Sequence, residues 1–174
     1  MKRKFFVLTV IAALAALTVV SAAPAAAAGW ESGVASPAAS DAAPAGFSAQ
    51  AYRNETLRLV NQQRAARSLR PLTAAARLNS MAAVRAQEAS SRFSHIRPNG
   101  STPASLFAQY GVSYSRAGEN LARGYESPAA LVSAWMLSPE HRSNILNAGF
   151  TCTGIGVYQT SGGKVYCAQL FSRP

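Results

Sequence analysis

Histidine is scarce in this 174-residue chain, which carries only His95 and His141. His95 lies in Phe93-Ser94-His95-Ile96-Arg97-Pro98-Asn99-Gly100, a loop-forming stretch, and His141 follows the turn signal Ser138-Pro139. Between them Glu119 is flanked by Gly118 and Asn120, which reads as a turn. Two imidazoles and a carboxylate on three loops are worth testing as one site. Their types suit three uses. They form an open ligand set for Zn²⁺ or another divalent cation, with a position left for water or substrate. They could act as a metal-free acid-base group, or as a clasp in which the histidines hydrogen-bond Glu119 and hold the loops together.

Nucleophilic catalysis has less to work with. The chain has no Gly-x-Ser-x-Gly elbow and no His-Glu-x-x-His pair. Ser94 and Ser138 neighbour the histidines in sequence, yet a serine before Pro139 is explained as a helix cap. An enzyme built on these residues would therefore work through a metal-bound or Glu119-activated water.

Leu57, Val60, Asn61 and Arg64 recur at helical spacing within 52–67, and Leu78, Met81, Ala82, Ala86 and Ala89 form the apolar stripe of a second helix expected over 73–91. Ser101-Thr102-Pro103 opens a short helix carrying Leu106, Phe107 and Tyr110, stopped by Gly111. Ser127-Pro128 starts another, whose buried face is Leu131, Val132 and Trp135. After Gly149 the pattern turns β-rich: 150–159 and 164–171 flank Thr160-Ser161-Gly162-Gly163 as a hairpin. Two strands alone are marginal, so a third is expected around 116–122. Asn61, Asn120 and Asn144 fall at helix faces or tight turns, where an amide bonds exposed backbone, and read as scaffold. The class is α+β, helices covering both sides of a small antiparallel sheet.

The N-terminus carries Met1-Lys2-Arg3-Lys4, an apolar run over 5–20 and small residues to Ala28, which predicts a secretory signal peptide over 1–28 and no stable membrane span once it is removed. Residues 29–48 are rich in Ala, Pro and Ser without an apolar face, as in a flexible tether, leaving one domain over 49–174. Without Lys2, Arg3 and Lys4, 14 cations face 7 acids, all but Lys164 of the cations being arginine. For an exported chain without an aromatic-and-basic binding motif, nucleic acid is a poor partner. Anionic cell-wall polymers or lipid headgroups suit the charge better. Export also makes a disulfide between Cys152 and Cys167 the expectation. A hairpin turning at Ser161-Gly162 would set Cys152 against Phe171 instead, so the bridge needs a longer loop or a bend at Gly154.

Six ordered motifs carry a family resemblance: Leu59-Val60-Asn61 with Arg64; the stretch around His95; Gly118-Glu119-Asn120-Leu121; Trp135 through Leu146; Gly154-Ile155-Gly156-Val157; and Gln169-Leu170-Phe171. Over 52–172 the chain resembles the bacterial SCP-like branch of the CAP superfamily, named for cysteine-rich secretory proteins, antigen 5 and pathogenesis-related 1 proteins. The resemblance implies an α-β-α sandwich with a central cleft lined by two histidines and two glutamates, sometimes holding a divalent metal. His95, Glu119 and His141 match three of those positions. At the fourth, where many members have Trp-x-x-Glu, this chain has Ser138 after Trp135, and Glu140 is the nearest other acid.

Two functions of different class follow. One is a secreted, non-enzymatic module whose cleft and neighbouring grooves bind lipid, peptide or a cell-wall ligand, as recurs in the family. The other is a metal-dependent, peptidase-like hydrolase using His95, Glu119 and His141.

Overall fold

The computed structural model describes residues 5–7 and 46–174. The signal-peptide expectation for 1–28 and the tether expectation for 29–48 lie outside the described residues, apart from 5–7 and 46–48. By contacts the chain divides into Met1–Val10 with Ser48–Pro174, and Ile11–Phe47; the fold below is that of the first unit. In chain order it runs β1 (Phe5–Val7), α1 (Ala49–Ala65), β2 (Thr73–Ala74), α2 (Ala76–Ser91), α3 (Ala104–Gln109), β3 (Arg116–Arg123), α4 (Pro128–Leu137), α5 (Pro139–Ile145), β4 (Cys152–Gln159) and β5 (Val165–Arg173).

Local chemistry accounts for most boundaries. The Ser48 hydroxyl accepts the Ala51 amide at 3.2 Å, so α1 begins three residues earlier than its apolar spacing suggests. Ser127 caps α4 in the same way, with Pro128 in the first turn. At α2 the expected start gives way: Thr73 and Ala74 pair with Cys152 and Thr153 as a short strand, and the helix opens at Ala76. Ser138 is the N-cap of α5, but its hydroxyl donates to Glu140 Oε2 at 3.1 Å and caps no helix amide.

The strands form one sheet in the order β1-β3-β5-β4-β2. The three long strands are antiparallel, as expected, while the short outer strands pair parallel with their neighbours, which makes the sheet mixed. Alternation along the strands splits the core. Ala117, Leu121, Ala168 and Leu170 face α2 and α3, where Leu78, Met81, Leu106 and Phe107 are buried. Ala122, Ile155, Val165 and Phe171 face the opposite way, towards Val60, Leu131, Trp135 and Ile145. The result is the α-β-α sandwich.

Two glycines set the spacing of one layer. A Cβ on Gly154 would run into the backbone at Leu78, and one on Gly156 into the backbone at Ala82. With hydrogen in place of Cβ, α2 lies directly on β4, and Arg85, further along the same helix, reaches Glu119 on β3 through its side chain.

The expected disulfide is absent, because Cys152 and Cys167 are both free thiols. Cys152 pairs with Ser172, whereas Cys167 pairs with Val157, five positions along β4. Five residues of strand are about 16 Å, beyond bridging reach. The two side chains also point to opposite faces, Cys152 towards α2 and Cys167 into the other core layer. Burial pushes the Cys167 thiol well above its ordinary pKa, so it behaves as a small apolar side chain.

Candidate functional site

Glu119 is not in a turn. It lies on β3 with its carboxylate wholly buried under α2, since pairing of Gly118-Glu119-Asn120 with Gln169-Leu170-Phe171 overrides the local turn preference of those residues. The group beneath which it sits is Arg85, itself fully buried. Arg85 Nε donates to Glu119 Oε2 at 2.7 Å and Nη2 to Oε1 at 3.2 Å, a two-toothed pair. His95 Nδ1 stands 2.8 Å from the same Oε1.

The pair continues outward. Arg85 Nη1 donates to Glu88 Oε2 at 2.6 Å and Nη2 to the Ser94 carbonyl at 2.9 Å. On its other side Glu88 accepts Arg97 Nη2 at 2.7 Å and Nε at 3.0 Å, and Arg97 Nη1 reaches Ser105 Oγ at 2.8 Å. Charges therefore alternate from Arg97 through Glu88 and Arg85 to Glu119, ending on His95. The chain joins α2, the loop after it, α3 and β3. Burial alone would lower the Arg85 pKa, but Glu119 and then Glu88 outweigh it and hold the guanidinium above its ordinary value. For Glu88 burial pushes upward, and Arg97 and Arg85 outweigh it and pull the carboxyl below its usual range.

His141 is in the first turn of α5 and not on a loop, and is half-buried. It meets Glu119 through backbone only: Asn120 Nδ2 donates to the His141 carbonyl at 3.2 Å, while Asn144 Nδ2 donates to the Glu119 carbonyl at 3.2 Å and to Asn120 Oδ1 at 2.9 Å. Its ring lies 6.5 Å from the Trp135 ring, tilted by 42°. Burial lowers its pKa first and the neighbouring His95 lowers it further, against a smaller upward pull from Glu140. The clasp thus has one histidine bonded to the carboxylate and the other tied to it by two asparagines. Asn61 is scaffold as well, donating to the Leu72 carbonyl at 3.1 Å and accepting its amide at 2.8 Å.

The ligand set does not suit a divalent cation as it stands. Among the described residues no three His, Cys, Asp or Glu side chains are placed to hold one. Both Glu119 oxygens are already engaged, and an ion on Oε2 at a Zn–O distance of about 2.0–2.2 Å would lie within about 5 Å of Arg85 Nε. At an effective dielectric of about 20 that repulsion is on the order of 7 kcal/mol. Ser138 and Glu140 bond each other, and neither is hydrogen-bonded to Glu119 or His95.

Arg85, Glu88 and Arg97 were not visible as site residues in the sequence. One signal was present: Arg85 falls inside the stripe Met81, Ala82, Ala86, Ala89, and a cation on a buried helix face requires a buried counter-charge.

A second region is open where this one is closed. Between α1 and α4, Leu59, Gln63, Ala129, Val132, Ser133, Met136 and Leu137 line a cavity of about 250 Å³. Leu137 is 78% exposed beside it. Two arginines bond the backbone of residues that line it: Arg67 donates to the Gln63 carbonyl at 3.0 Å, and Arg142 to the Met136 carbonyl at 3.3 Å. No described helix is long and apolar enough to cross a membrane.

The family model for CAP, the cysteine-rich secretory protein family, matches residues 57–171. The uncharacterized protein YkwD of Bacillus subtilis (strain 168) is 34% identical over 128 residues, covering 72% of this chain and 49% of that protein. The chain therefore spans about half the length of this curated relative. Among solved structures, an extracellular protein containing an SCP domain from Bacillus anthracis str. Ames superposes with a TM-score of 0.66 at 27% identity, over 72% of this chain and 41% of that one. An outer surface protein of Borrelia burgdorferi gives 0.62 at 23% identity, over 67% and 88%, and shares the fold.

Proposed function

The chain belongs to the CAP, or cysteine-rich secretory protein, family, and on that premise we propose that it is an extracellular, non-enzymatic module that binds the apolar chain of an anionic amphiphile such as a lipid. The observation that carries this reading is the groove between α1 and α4. Its walls are Leu59, Val132, Met136 and Leu137, its volume of about 250 Å³ suits one chain segment, and Arg67 and Arg142, bonded to the Gln63 and Met136 carbonyls, supply cations for an anionic headgroup. Methionine lets such a wall repack around different chains, and covering Leu137 would contribute about 1.5–3 kcal/mol. Export is supported by the leader-like N-terminus and by relatives described as extracellular or outer surface proteins.

The competing reading, a metal-dependent hydrolase on His95, Glu119 and His141, gains nothing from the geometry, because Arg85 already engages the carboxylate that would act as ligand or base. Native mass spectrometry of the protein purified from its host tests the binding reading. Co-purifying amphiphile that is lost in Leu137→Asp supports it. An unliganded protein that also fails to take up a long-chain fatty acid added in excess contradicts it.

A further inference from the structure

We propose that Arg85 stands in place of a metal ion in this chain, as an internal cation that holds Glu119 and through it fixes His95, so that the His95–Glu119 pair is metal-free and offers its remaining ring nitrogen as a hydrogen-bond acceptor. The inference rests on the charge chain and is independent of the groove. A divalent ion in such a ligand set would neutralise the carboxylate and orient the imidazole. Arg85 does both from within the helix layer, through two bonds of 2.7 and 3.2 Å to the two Glu119 oxygens.

The consequence for His95 follows from its tautomer. Arg85 donates to both oxygens, so Glu119 is held as an acceptor, and the 2.8 Å contact at Oε1 places the proton of the neutral imidazole on Nδ1. The lone pair is then on Nε2, which has no partner among the described residues, on a side chain 10% exposed. A neutral donor, such as a ligand hydroxyl or amide N–H, is the chemistry that this nitrogen would recognise. Arg85 itself touches no ligand and is a positioning residue. Glu88 and the Ser94 carbonyl fix its far side, so the guanidinium cannot swing away to admit an ion.

Two measurements on the full chain test this. Calorimetric titration with Zn²⁺ should give the same trace for wild type and Glu119→Gln, with no binding step near one equivalent. A step near one equivalent in wild type that Glu119→Gln removes would overturn the proposal, and this arm needs no Arg85 variant to fold. The second is the ¹⁵N spectrum of the histidines at pH 8. His95 should be in the Nδ1–H form in wild type and in Arg85→Lys, and should become a mixture of both tautomers in Arg85→Gln with circular dichroism unchanged. An Nε2–H wild type, or an Arg85→Gln spectrum identical to wild type, would overturn it.

Discussion

The two faces of the sheet differ in how completely they satisfy themselves. On the α2 face the groups able to do chemistry are closed upon one another: Arg85, Glu88, Arg97 and Glu119 balance in charge, and His95 completes the set. On the α1 and α4 face the buried Trp135 Nε1 and Gln169 Oε1 have no hydrogen-bond partner among the described residues, and apolar surface is left open at Leu137. Binding energy comes from what a protein leaves unsatisfied, so on the proposed reading the residues that look functional in the sequence stabilise the fold and the groove takes the ligand.

Arg64 and Arg85 are both fully buried cations. Arg64 is held by carbonyls alone, those of Arg70, Ile145, Asn147 and Phe150, and burial lowers its pKa. Arg85 is held by two carboxylates and its pKa is raised. One cation is solvated by peptide dipoles at the end of α5, the other is neutralised by formal charge.

Breaking the charged pair should have the largest effect. Glu119→Ala leaves Arg85 buried beside an empty position and is expected to cost about 3–5 kcal/mol, read as a lowered urea midpoint. Arg64→Met should cost less, about 2–4 kcal/mol by the same measurement, because the carbonyls it abandons are neutral. If the two costs were reversed, formal charge would not be what distinguishes the two sites.

The pH dependence comes next in size. His141 has a folded pKa below its unfolded value of about 6.5, so the unfolded chain takes up the proton first as pH falls. The stability it contributes is whole above pH 6.5 and declines as pH drops through that value towards the folded pKa. His141→Gln should flatten the profile there, and denaturant midpoints between pH 8 and 5 that fall equally in both proteins would contradict this. The smallest effect is expected of Ser138→Ala, within about 0.5 kcal/mol, since its hydroxyl caps no helix amide.

Much of this arrangement was legible in the sequence. Helical spacing located four helices, the β-rich tail located the hairpin, and the marginal stability of two strands alone pointed to a third around 116–122. What escaped were features set by register and by depth. Gly118-Glu119-Asn120 reads as a turn until β5 pairs with it. The cysteines could have bridged until Cys152 met Ser172 and Cys167 met Val157. Arg85 looked like one surface arginine among many because its partners are 34 residues away on β3 and one turn along its own helix. Tertiary pairing decides each of these, and local pattern does not encode it.

The measurement that bears most directly on the division of labour is a fluorescence titration with a dansyl-labelled fatty acid, run on wild type, Glu119→Gln and Leu137→Asp. Leu137→Asp should weaken binding about ten- to hundredfold, the worth of one covered leucine, with an unchanged urea midpoint. Glu119→Gln should bind as wild type does while being less stable. Binding that collapses in Glu119→Gln and survives in Leu137→Asp would contradict the account and return the function to the histidine site.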